Sequence, residues 1–219
     1  MILGYGCIYQ GGYVYALDDT TATSSSVGGN VATTSNEAPS GIIWSSDGIG
    51  GISNIAIYGI SETSTSSLAN PGSGQVSGQT ACNGNTSGSC DTNNIYVYYQ
   101  NDATGAPINT SSYATGLCKQ TISTYSDWYL PAICEMGYDS FGQGTGCGIS
   151  GTPTLQNMQS DLVDTLNILS GDYWSSTELA GFPTFSAWSQ GFASGGGSFQ
   201  LSNGKGGTLG VRCSRALTS

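Results

Sequence analysis

Hydrophobic and polar positions alternate most clearly at the two ends of the chain. Ile8-Tyr9-Gln10-Gly11-Gly12-Tyr13-Val14-Tyr15-Ala16-Leu17 interleaves aromatic and aliphatic residues and then meets Asp18-Asp19, a turn signal, so a strand is predicted there. Leu209 to Ala216 reads as the last strand. Gly41-Ile42-Ile43-Trp44 and Ile52 to Ile60 also read as strands, the second with period-two patterning. Residues from Thr20 to about Pro39 are rich in Ser, Thr and Asn and read as loop, and Ser61 to Thr80 reads as an irregular excursion. Ile95-Tyr96-Val97-Tyr98-Tyr99 fits either a strand or a short buried helix, because periodicity alone does not separate the two.

Helical spacing follows. Ser111 to Ile122 puts Tyr113, Ala114, Leu117, Cys118 and Ile122 on roughly one face. After Trp128-Tyr129-Leu130, Pro131 stands where a first helical turn tolerates it, and the helix runs through Glu135 to Gly137. Leu155 to about Leu169 carries Leu155, Met158, Leu162, Leu166 and Leu169 at three- and four-residue steps. After Tyr173-Trp174-Ser175-Ser176-Thr177-Glu178 come about thirty residues dominated by Gly, Ser, Ala, Thr and Phe. Trp188, Phe192, Phe199 and Leu201 make this stretch too apolar for a free tether, and its glycines make it unsuited to a regular element. It is expected to be a loop held at both ends by a scaffold, the setting in which binding sites usually occur.

Composition narrows the function. A chain of 219 residues suits one large domain. Only 8% of residues are charged while 10% are aromatic, the reverse of a disordered chain. The net charge is −10, and Lys119, Lys205, Arg212 and Arg215 are the only cations, so nucleic acid is excluded as a partner. The same sign disfavours sulfated polysaccharides and anionic membranes. Histidine is absent, which removes the commonest general base and metal ligand.

Seven cysteines among so few charges point to an oxidising compartment. Cys82 and Cys90 flank a turn-rich heptapeptide suited to a short disulfide loop, and the odd count leaves one thiol over. Zinc would need paired C-x-x-C spacing, which the chain lacks, so no metal and no cofactor is expected. No apolar stretch reaches membrane-span length and no signal peptide is read, so a mature form is expected.

Five islands occur in order along the chain: Gly11-Gly12-Tyr13-Val14-Tyr15, Asp127-Trp128-Tyr129-Leu130-Pro131 leading to Glu135, Tyr173-Trp174-Ser175-Ser176-Thr177, Ala187-Trp188, and Val211-Arg212-Cys213. Together they resemble bacterial domains with a C-type-lectin-like fold, namely the C-terminal domain of collagen-like adhesins and the variable proteins of diversity-generating retroelements. The resemblance implies an α+β fold of small twisted antiparallel sheets with two or three helices, in which the N- and C-terminal strands pair. It implies one domain over 1–219, with a family-specific insertion at about 20–110 and a variable region at about 175–215. A cysteine of the first helix bridges one on the last strand in related domains, and Cys118 and Cys213 match those positions; such a long loop would contribute roughly 4 kcal/mol. Cys134 and Cys147 are then the third pair, and Cys7 is left over. Trp128, Trp174 and Trp188 read as core, Glu135 as a cap or ion-pair partner of Arg212 or Arg215, and Ser175 to Thr177 as partners for buried backbone at a bend.

In the retroelement reading, adenine-directed mutation turns AAC codons into NNC codons, which encode fifteen residue types but never Gln, Lys, Glu, Met or Trp. Ala180, Phe182, Thr184 and Phe185 fit the permitted set, as do Ser189, Gly191, Ser194, Ser198, Phe199, Leu201 and Ser202. Trp188, Gln190, Gln200 and Lys205 would be fixed residues between them. The expected function is non-catalytic binding of a protein or glycan on another cell. The aromatics would supply contact area and the small polar residues adaptability. The implied location is the bacterial outer membrane, with a lipid anchor outside this chain as the sole link to the membrane.

Two alternatives stand beside this reading. A calcium-dependent or other carbohydrate-binding lectin with a fixed ligand would need clustered oxygen ligands, but the Glu-Pro-Asn and Trp-Asn-Asp triplets of such lectins are absent and Asp18-Asp19 and Asp47-Gly48 read as turns. An enzyme would need a reactive thiolate or paired carboxylates; Asp161 and Asp164, three apart on a helix, read as a solvated face.

Overall fold

The structure, a computed structural model, describes residues 3–18, 28–63, 75–101, 107–195 and 197–218. Among them the chain is mixed α and β, with small antiparallel sheets and few helices. One sheet has four strands in the order β1 (Ile8–Tyr9), β2 (Gly12–Asp18), β3 (Gly28–Thr33) and β9 (Ser214–Ala216). The expected strand near the N-terminus forms, and it shares a sheet with the C-terminal strand. The two do not pair, however, because β3 lies between them and bonds to both. That strand falls inside the stretch read as loop. Its Val31 and Ala32 are buried, so packing overrides the weak strand propensity of Gly28-Gly29-Asn30. Asp19 and residues 20–27 lie outside the described residues.

Two other predicted strands do not form as such. Ile42 makes only an isolated bridge to Leu209. Ile52 to Ile60 is irregular, because side chains rather than a ladder satisfy its backbone. Ile57 N–H donates to both carboxylate oxygens of Glu178, Ile55 C=O accepts from Lys205 Nζ, and Tyr58 C=O accepts from Asn94 Nδ2. Of the stretch from Leu209 to Ala216, only the last three residues are strand.

The ambiguous Ile95–Tyr99 run belongs to helix α1 (Gly88–Asn101), which buries Ile95, Tyr98 and Tyr99. The next two predicted helices shrink to α2 (Ala114–Cys118) and α3 (Ile133–Met136). The long helix predicted from Leu155 becomes a six-residue π-helical turn, Gln159–Asp164, with Leu166 half out in solvent. A two-residue hairpin, β4 (Gly148–Ile149) with β5 (Thr152–Pro153), precedes it.

The segment expected to be a scaffold-held loop is instead largely sheet. β6 (Gly171–Glu178), β7 (Ser186–Phe192) and β8 (Phe199–Gly204) pair antiparallel in that order. Glycine permits rather than prevents this. At Gly191, opposite Phe199, the phenyl ring occupies the space a Cβ would need, approaching to 2.1 Å.

The main core runs from Val14 to Cys213 and includes Trp44, Ile57, Ile95, Trp128 and Trp174, so the 20–110 stretch supplies interior and not only surface. Trp188 packs with Ile133 and the Cys134–Cys147 pair. Three disulfides brace the fold: Cys82–Cys90, Cys118–Cys213 across 95 residues, and Cys134–Cys147, with Cys7 free and exposed. These bridges suit an oxidising compartment. Among the described residues no helix is long and apolar enough to cross a membrane.

Glu135 is a cap rather than an arginine partner. Its carboxylate accepts from Ala132 N–H at the start of α3, from Gly88 N–H at the start of α1, and from Tyr129 OH. Helix N-termini favour an anion at that spot. Gly88 has no alternative, since a Cβ there would meet the Glu135 carboxylate at 2.4 Å. Burial nevertheless pushes the Glu135 carboxyl up to about 7. Nearby Asp91 is fully buried, bonded through one oxygen to Ser176 Oγ and unpartnered at the other. Burial raises its carboxyl well above the usual range.

Candidate ligand-binding face

The β6–β8 sheet sorts the candidate residues by strand alternation. Directly opposed residues on antiparallel strands share a face, and successive residues alternate. Gln190 faces Gln200, and Ser189 faces Leu201. The first pair points inward to a closed polar network. Gln200 Nε2 donates to Gln190 Oε1 and to Ile133 C=O, Gln190 Nε2 donates to Ser198 Oγ, and Thr145 Oγ1 donates to Gln200 Oε1. Buried amides persist because they are partnered in this way. Trp188, Gln190, Gln200 and Lys205 are all buried.

Lys205 follows β8 and is almost wholly withdrawn from solvent. Its Nζ donates to Glu178 Oε1 at 2.5 Å and to Ile55 C=O at 2.6 Å, and it sits 4.4 Å from the centre of the Trp44 ring. Burial lowers the Lys205 ammonium and pushes the Glu178 carboxyl up to about 7, while each partner opposes the other's shift. The backbone of Lys205 fixes the neighbouring turn, its N–H donating to Phe185 C=O at 2.8 Å.

That turn, 179–185, joins β6 to β7 and is internally bonded, with Phe182 N–H to Leu179 C=O and Phe185 N–H to Phe182 C=O. Phe182 and Phe185 project from it, 65% and 57% exposed. Ala180 and Thr184 are half-buried there. Leu201, 45% exposed, and Ser202 lie open on β8, which among the described residues has no strand neighbour other than β7. Ser194 is exposed in the β7–β8 connection. Phe199 is half-buried against Gly191.

Three candidates turn away from solvent. Ser198 is buried in the glutamine network. Ser189 is buried because its Oγ donates to Leu201 C=O and accepts from Asn203 Nδ2. Gly191 lies beneath the Phe199 ring. The structure therefore leaves Phe182 and Phe185 outward on the turn beside Lys205 and Leu201 and Ser202 exposed along β8, and withdraws these three.

Two further exposed residues near that turn were not among the candidates. Ile52, 41% exposed, lies against the β8–β9 connection, where a Cβ on Gly206 would meet it at 3.0 Å. Ile49, 92% exposed, tips the same loop, which Asp47 Oδ1 closes by accepting from the N–H groups of Ile49 and Gly51. An isoleucine at an Asp-Gly turn is the only cue, and it is a weak one.

The other disulfide-bonded and acidic candidates lie elsewhere. An open groove of about 590 Å³ runs between the β4–β5 hairpin and the π-helical turn, lined by Gln156, Asp161 and Asp164 among others. Asp164 accepts from Tyr138 OH and Gln159 Nε2, and burial raises the Asp161 carboxyl. Among the described residues no three His, Cys, Asp or Glu side chains group so as to hold a metal ion. Comparison with protein-family models, with curated proteins and with solved structures finds no match.

Proposed function

We propose that this chain is a non-catalytic binding domain of C-type-lectin-like type, displayed on a bacterial surface as the variable protein of a diversity-generating retroelement. The observation that carries the reading is where the residues that NNC codons cannot encode fall within 180–205. All four residues that NNC codons cannot encode, Trp188, Gln190, Gln200 and Lys205, are interior, while Phe182, Phe185, Leu201 and Ser202 face solvent. A frame that holds its own side chains inside leaves outward ones free to change without cost to folding. The bridge from the α2 helix to the terminal strand region, Cys118–Cys213, supports the lectin-like assignment. Three disulfides support export, and an outer-membrane lipoprotein is the form in which such a domain would be displayed.

The test is genomic. An adenine-rich near-copy of the coding stretch for residues about 175 to 215 is expected beside a reverse-transcriptase gene. Its differences from this chain should fall at the codons of Phe182, Phe185, Leu201 and Ser202, and none at those of Trp188, Gln190, Gln200 or Lys205. A locus with no such copy overturns the proposal.

A further inference from the structure

We infer that the partner of this face is a protein offering an apolar pocket with a basic rim, and not a glycan; the inference rests on the binding role proposed above. Three observations lead there. The first is chemical. The large exposed groups of this face are Phe182, Phe185, Leu201, Ile49 and Ile52, which carry no hydrogen-bonding handle, and Ser194 and Ser202 are the exposed hydroxyls among the candidates. Sugars are held by polar groups converging in a hollow.

The second is shape. More than half of the surface of each phenylalanine is free, so neither ring walls a pocket; both stand out from a turn. Projecting aromatic anchors are completed by a concave apolar surface on the other side, the arrangement that concentrates energy in protein interfaces.

The third is charge. Glu62 borders the turn, its Oε2 accepting from Ala180 N–H, and Asp47 borders Ile49 and Ile52. The four cations are engaged elsewhere or buried: Lys119 over Tyr96, Arg212 on Thr33 C=O and Tyr173 OH, Arg215 with Asp127 and Gln10, and Lys205 with Glu178. An apolar centre with an acidic border, on a chain of net charge −10, is complementary to an apolar pocket with a basic border.

The probes are an 18-residue amphipathic Leu/Lys peptide, its Leu/Glu counterpart, polylysine, and an array of neutral and sialylated glycans, each titrated against the intact chain. The Leu/Lys peptide is expected to bind at least tenfold more tightly than either the Leu/Glu peptide or polylysine in low salt, with no glycan retained. Phe182→Ser combined with Phe185→Ser should weaken it at least tenfold, and Glu62→Gln with Asp47→Asn should erase its advantage over the Leu/Glu peptide. No binding of the Leu/Lys peptide, equal binding of the Leu/Glu peptide, or capture of a glycan through the phenylalanines overturns the inference and leaves the binding role standing. Leu/Lys binding that survives loss of both phenylalanines locates recognition elsewhere and overturns the binding role itself.

Discussion

Within residues 171–205 two populations share one short sheet. Gln190 and Gln200 are sealed beneath it and bonded to each other, while Leu201, one residue along, lies 45% open. Glu178 and Lys205 form a buried ion pair at the sheet's end, and the turn between them carries two phenylalanines into solvent. The contrast teaches that identity and stability are held by the inward set, whereas the outward set is free to serve recognition. Substitutions should divide along the same line.

The sharpest break comes from the frame. Replacing Cys118 and Cys213 by Ser opens a 95-residue loop and is expected to cost about 4–5 kcal/mol in denaturant unfolding, with the face residues unchanged in sequence. Lys205→Ala leaves the Glu178 carboxylate buried without its cation and should cost about 3–5 kcal/mol, much of it recovered when Glu178 is also made Met. A smaller effect than either sinks the view that this pair holds the end of the sheet.

Acidity probes a third part of the frame. Glu135 and Asp91 hold their protons more tightly in the folded chain than in the unfolded one. Their contribution is therefore full below the unfolded carboxyl range, about pH 4, and is lost as pH rises through their raised folded values, about 7 for Glu135. Scanning calorimetry should show a higher melting temperature at pH 5 than at pH 8, with the Glu135 part worth about 3 kcal/mol. Glu135→Gln should flatten that slope, and an unchanged slope would sink the assignment. The smallest effect belongs to the face: Phe182→Ser and Phe185→Ser should each move stability by under about 0.5 kcal/mol. A larger loss would mean that the turn depends on its rings.

What the sequence disclosed follows the same division. The N-terminal strand, the three tryptophans as interior and the Cys82–Cys90 loop were legible, because aromatic alternation and short cysteine spacing are local signals, whereas the Cys118–Cys213 and Cys134–Cys147 pairs followed only from the resemblance. The β6–β8 sheet was not legible. Its interior is built from Gln190, Gln200 and Ser198, which read as loop residues until their partners Thr145 and Ile133 are seen alongside. The 52–60 stretch misled in the opposite direction. Its alternation is real, but its backbone bonds to Glu178, Lys205 and Asn94. Ser189 and Ser198 fit the codon rule yet are buried, since coding capacity says nothing about what covers a residue.

The paired amides have a consequence for how the edge strand tolerates change. A slip of β8 by a single position would carry Leu201 beneath the sheet and strand the Gln200 amide away from Gln190, Thr145 and Ile133. The two glutamines thus act as a ratchet tooth, fixing alignment whatever the outer side chains become. Novelty in those side chains can alter what is touched but not where the strand lies.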